Sequence, residues 1–166
     1  KMDFEQAIDQ GMIVMIGDEV EEAYLDEVQK QCVNPELAKE KGDTLKFVYT
    51  PFHGAGNKPV RKILKRIGFN NVVVVKEQEL PDGDFPTVES PNPENKEGFK
   101  LAIGYAKECG ADLIVGTDPD SDRVGILVKN DKGEYVTFTG NQVGTLLSEY
   151  ILSALAEKNA VPKDGY

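Results

Sequence analysis

The chain has 166 residues, 40% of them apolar and 29% charged, the composition of a folded globular protein rather than a disordered one. Its 29 acidic residues against 19 basic ones give a net charge of −10, which disfavours a nucleic-acid partner and leaves room for a small anion only at a local site. The longest apolar run, Met12 to Ile16, falls far short of the roughly 18 residues a membrane helix needs, and no signal peptide is visible. Two cysteines, Cys32 and Cys109, form no CxxC pair, and the single histidine, His53, completes no zinc set. A reducing, cytoplasmic location is the expectation. The ends, Lys1-Met2 and Lys163-Asp164-Gly165-Tyr166, read as cuts within a longer protein.

In chain order, residues 1–17 read as a connector with a short helix around Phe4 to Gln10. Asp18 then caps an acidic helix to about Gln31, whose Val20, Tyr24 and Val28 recur every four residues as one apolar side. Its acidic run, Asp18 to Glu22, is expected to be a solvated face. Asn34 to Asp43 is a loop with a helical turn. Leu45 to Tyr49 is a first strand, followed by the loop Thr50-Pro51-Phe52-His53-Gly54-Ala55-Gly56. Asn57 caps a helix over Lys58 to Arg66 that Gly68 ends. Val72 to Val75 is a continuous β-branched run, expected to be a strand buried on both faces. Glu79 to Pro93 contains four prolines and is a long irregular loop, a kind more often functional than not. A helix over Lys96 to Glu108 ends at Gly110, with Tyr105 on its apolar face. Leu113 to Val115, Val124 to Val128 and Glu134 to Phe138 complete the strands, and a helix runs from Gln142 to Glu157. Strands joined by helices imply parallel pairing, and the last two strands are too close for a crossover. The expected fold is a three-layer α/β/α sandwich around a small mixed, mainly parallel sheet.

The chemistry concentrates in Gly116-Thr117-Asp118-Pro119-Asp120-Ser121-Asp122-Arg123, three Asp at alternate positions between two strands. Carboxylates aimed inward from one loop repel one another by roughly 4 kcal/mol per pair at about 4 Å and an effective dielectric of about 20. A divalent cation removes that conflict, and all-oxygen ligands select Mg²⁺, Ca²⁺ or Mn²⁺ over zinc. A calcium-binding EF-hand fails, because Arg123 and Lys129 stand where Gly and Glu are required. Arg123 beside the cluster suits a phosphate, and alternatively balances the Asp charges as a salt bridge. The bland alternative for the whole segment is a solvated acidic turn. His53-Gly54-Ala55-Gly56 precedes a helix N-terminus, but Pro59 spoils a dinucleotide fingerprint and no Walker lysine follows. A structural turn or a domain-contact loop is favoured there, and His53 reads as a packing residue ahead of a base.

Gly116 to Arg123 resembles the metal-binding loop of the α-D-phosphohexomutases. Four more segments are similar to the phosphoglucomutase/phosphomannomutase branch of that family: Tyr49 to Gly56, Pro81 to Pro86, Pro91 to Asn95 and Thr139 to Gln142. The resemblance implies a four-domain, Mg²⁺-dependent enzyme of carbohydrate metabolism, an isomerase. It would interconvert hexose 1-phosphate and hexose 6-phosphate through a phosphoserine and a hexose bisphosphate. Asp118, Asp120 and Asp122 would hold the single Mg²⁺, and Asp122 and Arg123 would meet the phosphate. His53 would be a possible interdomain or phosphate contact. The phosphoserine belongs to the family's first domain, and no Ser-His-Asn-Pro segment is present here, so this chain would carry no catalytic residue of its own and would be inactive alone. Residues 1–17 would be a linker from that first domain, 18–138 the second domain and 139–166 the opening helix of the third. Its partners would be the other domains of the same protein and the sugar phosphates, with no nucleic acid and no membrane. Glucose versus mannose preference would lie mainly in the third domain. The competing readings are a stand-alone divalent-cation-binding domain and a metal-dependent phosphatase. The phosphatase needs a nucleophilic Asp at the end of the first strand, where Thr50-Pro51 stands.

Overall fold

A computed structural model describes residues 2–164; Lys1, Gly165 and Tyr166, read above as part of the cut ends, lie outside the described residues. The elements run α1 (Phe4–Asp9), α2 (Asp18–Lys30), α3 (Pro35–Lys41), β1 (Phe47–Thr50), α4 (Asn57–Ile67), β2 (Val72–Val74), α5 (Lys100–Cys109), β3 (Leu113–Thr117), β4 (Val124–Lys129), β5 (Tyr135–Phe138) and α6 (Gly140–Glu157). Short 3₁₀ turns at Lys76–Gln78 and Lys96–Phe99 bracket the proline-rich loop. No helix among the described residues is long and apolar enough to cross a membrane.

The five strands form one mixed sheet in the order β2-β1-β3-β4-β5. β2, β1 and β3 are parallel, and β3-β4 and β4-β5 are antiparallel. The chain steps from β1 outward to β2 and back across β1 to β3. Two right-handed crossovers in opposite directions place α4 and α5 on opposite faces, which makes the three layers. Under α5, Val48, Ile114 and Leu127 lie in register on adjacent strands and pack with Phe99, Ala102 and Ala106. The hydroxyl of Tyr135 donates to the carbonyls of Ala106 and Ala111 and closes the end of α5 onto the sheet. On the other face, Phe47 meets the Phe69 ring and Tyr49 reaches the start of α4.

Several expectations change, among them the cap of α4, where Gly56 is the N-cap residue and Asn57 the first helical residue. β2 is half-buried, not buried on both faces, because the strand order leaves it at the sheet edge. Gly17 is the N-cap residue of α2, and Asp18 is its first helical residue. The Val20 and Tyr24 stripe of α2 faces outward, and Leu25 is the residue that is buried. Ion pairs to α4 accompany that rotation. Glu21 of α2 pairs with Lys62 of α4, and Glu22 and Asp26 pair with Arg66 at 3.1 and 2.8 Å. The acidic run is therefore partly a helix-packing surface, not wholly a solvated face. α6 begins with a full capping box, Thr139 with Gln142, and leaves Leu146, Leu147 and Leu152 exposed.

Candidate metal centre

β1 and β3 are parallel neighbours, so the loops that leave their C-terminal ends emerge side by side, where open α/β sheets bind ligands. The loop after β3 holds the three aspartates. Asp118 is fully buried. Its Oδ1 accepts from the backbone N–H of Arg123 at 3.0 Å, and its Oδ2 accepts from Arg123 Nε at 2.7 Å. The backbone N–H of Asp118 donates to the Arg123 carbonyl at 3.3 Å, which closes the loop into a tight ring. Ser121 turns it with a positive φ of 64°. One carboxylate oxygen each of Asp118, Asp120 and Asp122 then lies within 4.8 Å of the others. Asp120 and Asp122 are exposed. A carboxylate has about four lone-pair sites, so Asp118 keeps acceptor capacity beyond its two bonds to Arg123.

Burial pushes the Asp118 carboxyl up, but the Arg123 N–H, its guanidinium hydrogen bond and its charge outweigh this and hold Asp118 below the usual carboxylate range. Asp122 is pushed up, first by the charge of Asp120 and then by its contact with Asp118. Arg123 thus holds the inner carboxylate and lies 3.6 Å from Asp122 Oδ1, but its charge there is outweighed by the repulsion from Asp120 and Asp118. That donor set, three oxygens and a net negative charge, fits a hard divalent cation. Arg123 makes the salt bridge foreseen for it, and its side chain is still 54% exposed, so it can also meet an anion.

The loop after β1 is the buttress. Ala55 N–H donates to the Pro119 carbonyl at 2.8 Å. A Cβ on Gly54 would lie 2.4 Å from the Pro119 Cα, and one on Gly56 would lie 2.5 Å from Ser121 Oγ and 2.7 Å from the Tyr49 hydroxyl. Both glycines are needed for close approach, which supports the structural reading of this segment over an anion loop. Tyr49 Oη and Thr117 Oγ1 share a hydrogen bond of 2.9 Å beneath them, and burial pushes the Tyr49 phenol up to about 12.

His53 is buried, with Nδ1 at 3.0 Å from the Leu80 carbonyl and Nε2 at 2.9 Å from Thr87 Oγ1. Both ring nitrogens are engaged within the chain, so in this structure neither is free for a phosphate. Cys32 and Cys109 are free thiols, with no disulfide. A cleft of about 420 Å³ opens over the Asp loop; Phe85, Ser90, Pro91 and Asn92 line its far wall. Proline density and irregularity pointed to that loop in the sequence; which of its residues face the cleft did not follow from pattern. A separate cleft of about 450 Å³ on α4, lined by Lys58, Arg61, Lys62 and Lys65, had no sequence signal beyond helical spacing.

The profile of the family described as "Phosphoglucomutase/phosphomannomutase, alpha/beta/alpha domain II" matches residues 22–133. A protein of Haemophilus influenzae named "Probable phosphomannomutase" is 40% identical over 138 residues, 83% of this chain and 27% of that protein. The "Phosphoribomutase" of Saccharomyces cerevisiae is 38% identical over 152 residues, 87% of this chain and 24% of that protein. The chain thus spans about a quarter of the length of these curated relatives. A crystal structure described as a "putative phosphomannomutase from Thermus Thermophilus" superposes with a TM-score of 0.64 at 25% identity, over 81% of this chain and 29% of that one.

Proposed function

Because the chain belongs to the phosphoglucomutase/phosphomannomutase family, as its domain II, we propose that it is the metal-binding domain of a sugar-phosphate mutase. The observation that carries this is the meeting of three carboxylate oxygens within 4.8 Å beside Arg123, at the C-terminal ends of parallel strands. Asp118, Asp120 and Asp122 would hold one Mg²⁺, which would supply positive charge next to a transferring phosphoryl group. Arg123, anchored through Nε to Asp118, presents the rest of its guanidinium to phosphate oxygens. Asp122, pushed up by the charge of Asp120 and by its contact with Asp118, would be relieved by the cation and, as the neighbour of Arg123 in sequence, would meet the phosphate with it.

The whole enzyme would interconvert hexose 1- and 6-phosphates through a phosphoserine and a bisphosphate, in the cytoplasm. Residues 1–17, 18–138 and 139–166 would be linker, second domain and start of the third. Pentose phosphates are the second reading, favoured by the yeast relative's name. The chain alone would be inactive, because it has no Ser-His-Asn-Pro segment to carry the phosphoryl group.

Calorimetric titration with Mg²⁺ and Mn²⁺, with Asp120→Ala as control, tests the metal reading. Binding in the millimolar range that the variant loses is the expected result: Asp118, Asp120 and Asp122 would hold the cation only in part and would leave a place for a phosphoserine oxygen. Micromolar binding would make the loop a complete site and favour the stand-alone metal module. Identical heats for both proteins would remove the metal reading. Hexose-phosphate isomerisation by the 166-residue chain at an ordinary enzymatic rate would remove the claim that it is only one part of the machine.

A further inference from the structure

The cleft has two walls, and the Asp loop is only one. The other, Phe85 to Asn92, belongs to an irregular segment with no strand or helix to hold it. It is held by a buried polar chain that starts under β1. The Phe52 N–H donates to Thr50 Oγ1 at 3.2 Å, and that hydroxyl donates to Gln78 Oε1 at 2.7 Å. Gln78 is fully buried, and its Nε2 donates to Thr87 Oγ1 at 3.2 Å and to the Gly98 carbonyl at 3.5 Å. Thr87 Oγ1 lies 2.9 Å from His53 Nε2, and His53 Nδ1 lies 3.0 Å from the Leu80 carbonyl. The backbone of His53 bonds the same segment twice: its N–H donates to the Gln78 carbonyl and its carbonyl accepts from the Asp82 N–H. The Phe85 ring meets the imidazole edge-on at 6.3 Å.

For a neutral His53 ring, donor counting fixes the tautomer. A carbonyl only accepts, so His53 Nδ1 carries the hydrogen toward Leu80. In the neutral ring, Nε2 is then a bare acceptor and takes the Thr87 hydroxyl proton. Thr87 Oγ1 is in turn free to accept from Gln78. Each proton is used once.

The geometry points to His53, Thr87 and Gln78 as positioning residues that hold the Phe85–Asn92 wall over the Asp loop, the neutral His53 ring being held as its Nδ1–H tautomer. His53 and its neighbours Gly54 and Ala55 thus grip both walls, one through the ring and the other through Pro119. That the positioned wall faces a sugar phosphate rests on the mutase reading above; the network does not.

The chain contains one histidine, so long-range ¹H–¹⁵N correlation of the ¹⁵N-labelled 166-residue protein in mildly alkaline buffer reads this ring alone. The pattern of an Nδ1–H tautomer is expected; an Nε2–H pattern or an average of the two overturns the assignment. Thr87→Val should lose that pattern and shift or broaden the amides of residues 80–92, while β3 stays unchanged. Thr87→Ser, which keeps the hydroxyl, should restore both. Unmoved 80–92 amides in Thr87→Val, or no rescue by Thr87→Ser, overturn the proposal. Added Mn²⁺ separates this from the metal reading. It should broaden residues 118–123 in wild type and Thr87→Val alike, and residues 85–92 less in the variant than in wild type. Equal broadening of 85–92 in both overturns the positioning role. No broadening of 118–123 in either overturns the metal reading and the wall's link to substrate, while the tautomer result still decides the network.

Discussion

The loops after β1 and β3 leave neighbouring parallel strands and end in opposite states. The β1 loop is largely buried: Phe52 and His53 adopt positive φ angles of 45° and 62°, and its polar groups find partners inside the chain. The β3 loop buries one carboxylate and exposes two that repel each other. One loop has committed its polar groups to fixing geometry; the other leaves two carboxylates exposed and in repulsion. A site of this kind needs both, because mutually repelling carboxylates stay converged only against a rigid support.

The largest expected effect comes from breaking the contact between the two loops. Gly54→Ala places a methyl 2.4 Å from the Pro119 Cα, and backbone cannot give way as a flexible side chain would. A loss of about 2–3 kcal/mol in denaturant unfolding is expected, with weakened Mn²⁺ binding. An unchanged midpoint would mean that the loops are independent.

Next is Asp118→Asn, which leaves the charge of Arg123 beside a neutral group. The expected loss is about 1.5–3 kcal/mol at neutral pH. Its pH dependence has a definite sign. Asp118 is held below the usual range in the folded chain, so its contribution is complete above the unfolded carboxylate value of about 4 and fades as pH falls through the folded one. The gap between wild type and variant should therefore close only on acidification. A gap constant to the acid limit would contradict the Arg123 bond.

Tyr49→Phe removes the hydrogen bond to Thr117 under both loops and should cost about 1 kcal/mol. Because the phenol is pushed up to about 12, this loss should not vary across the neutral range. The smallest effect has the opposite sign. Asp122 is raised by its neighbours, so its ionisation opposes folding as pH rises through its folded value. Asp122→Asn should slightly raise the thermal midpoint of the metal-free chain and weaken Mn²⁺ binding. A lower midpoint would show that the triad is not under repulsion.

The convergence of the three carboxylates was legible in the sequence because its signal is local. Asp118, Asp120 and Asp122 alternate within five residues, and a turn between two strands is enough to gather them. The strand and helix order was legible for the same reason: periodicity, Gly68 and Gly110 mark it without reference to distant residues. The rotation of α2 was not, because which of its sides packs depends on distant segments: Leu25 is buried, and the acidic side pairs with Lys62 and Arg66 of α4. β2 reads as a central strand, since four valines carry no information about which neighbour is absent. His53 shows the limit most directly, as its partners Leu80 and Thr87 are 27 and 34 residues away. Short segments alone dictate the elements, the family likeness and the carboxylate triad, so all three could be read before any fold was known. Tertiary packing set which faces are buried, why Gly54 and Gly56 are glycines and what His53 bonds to, because those depend on close contacts between distant segments.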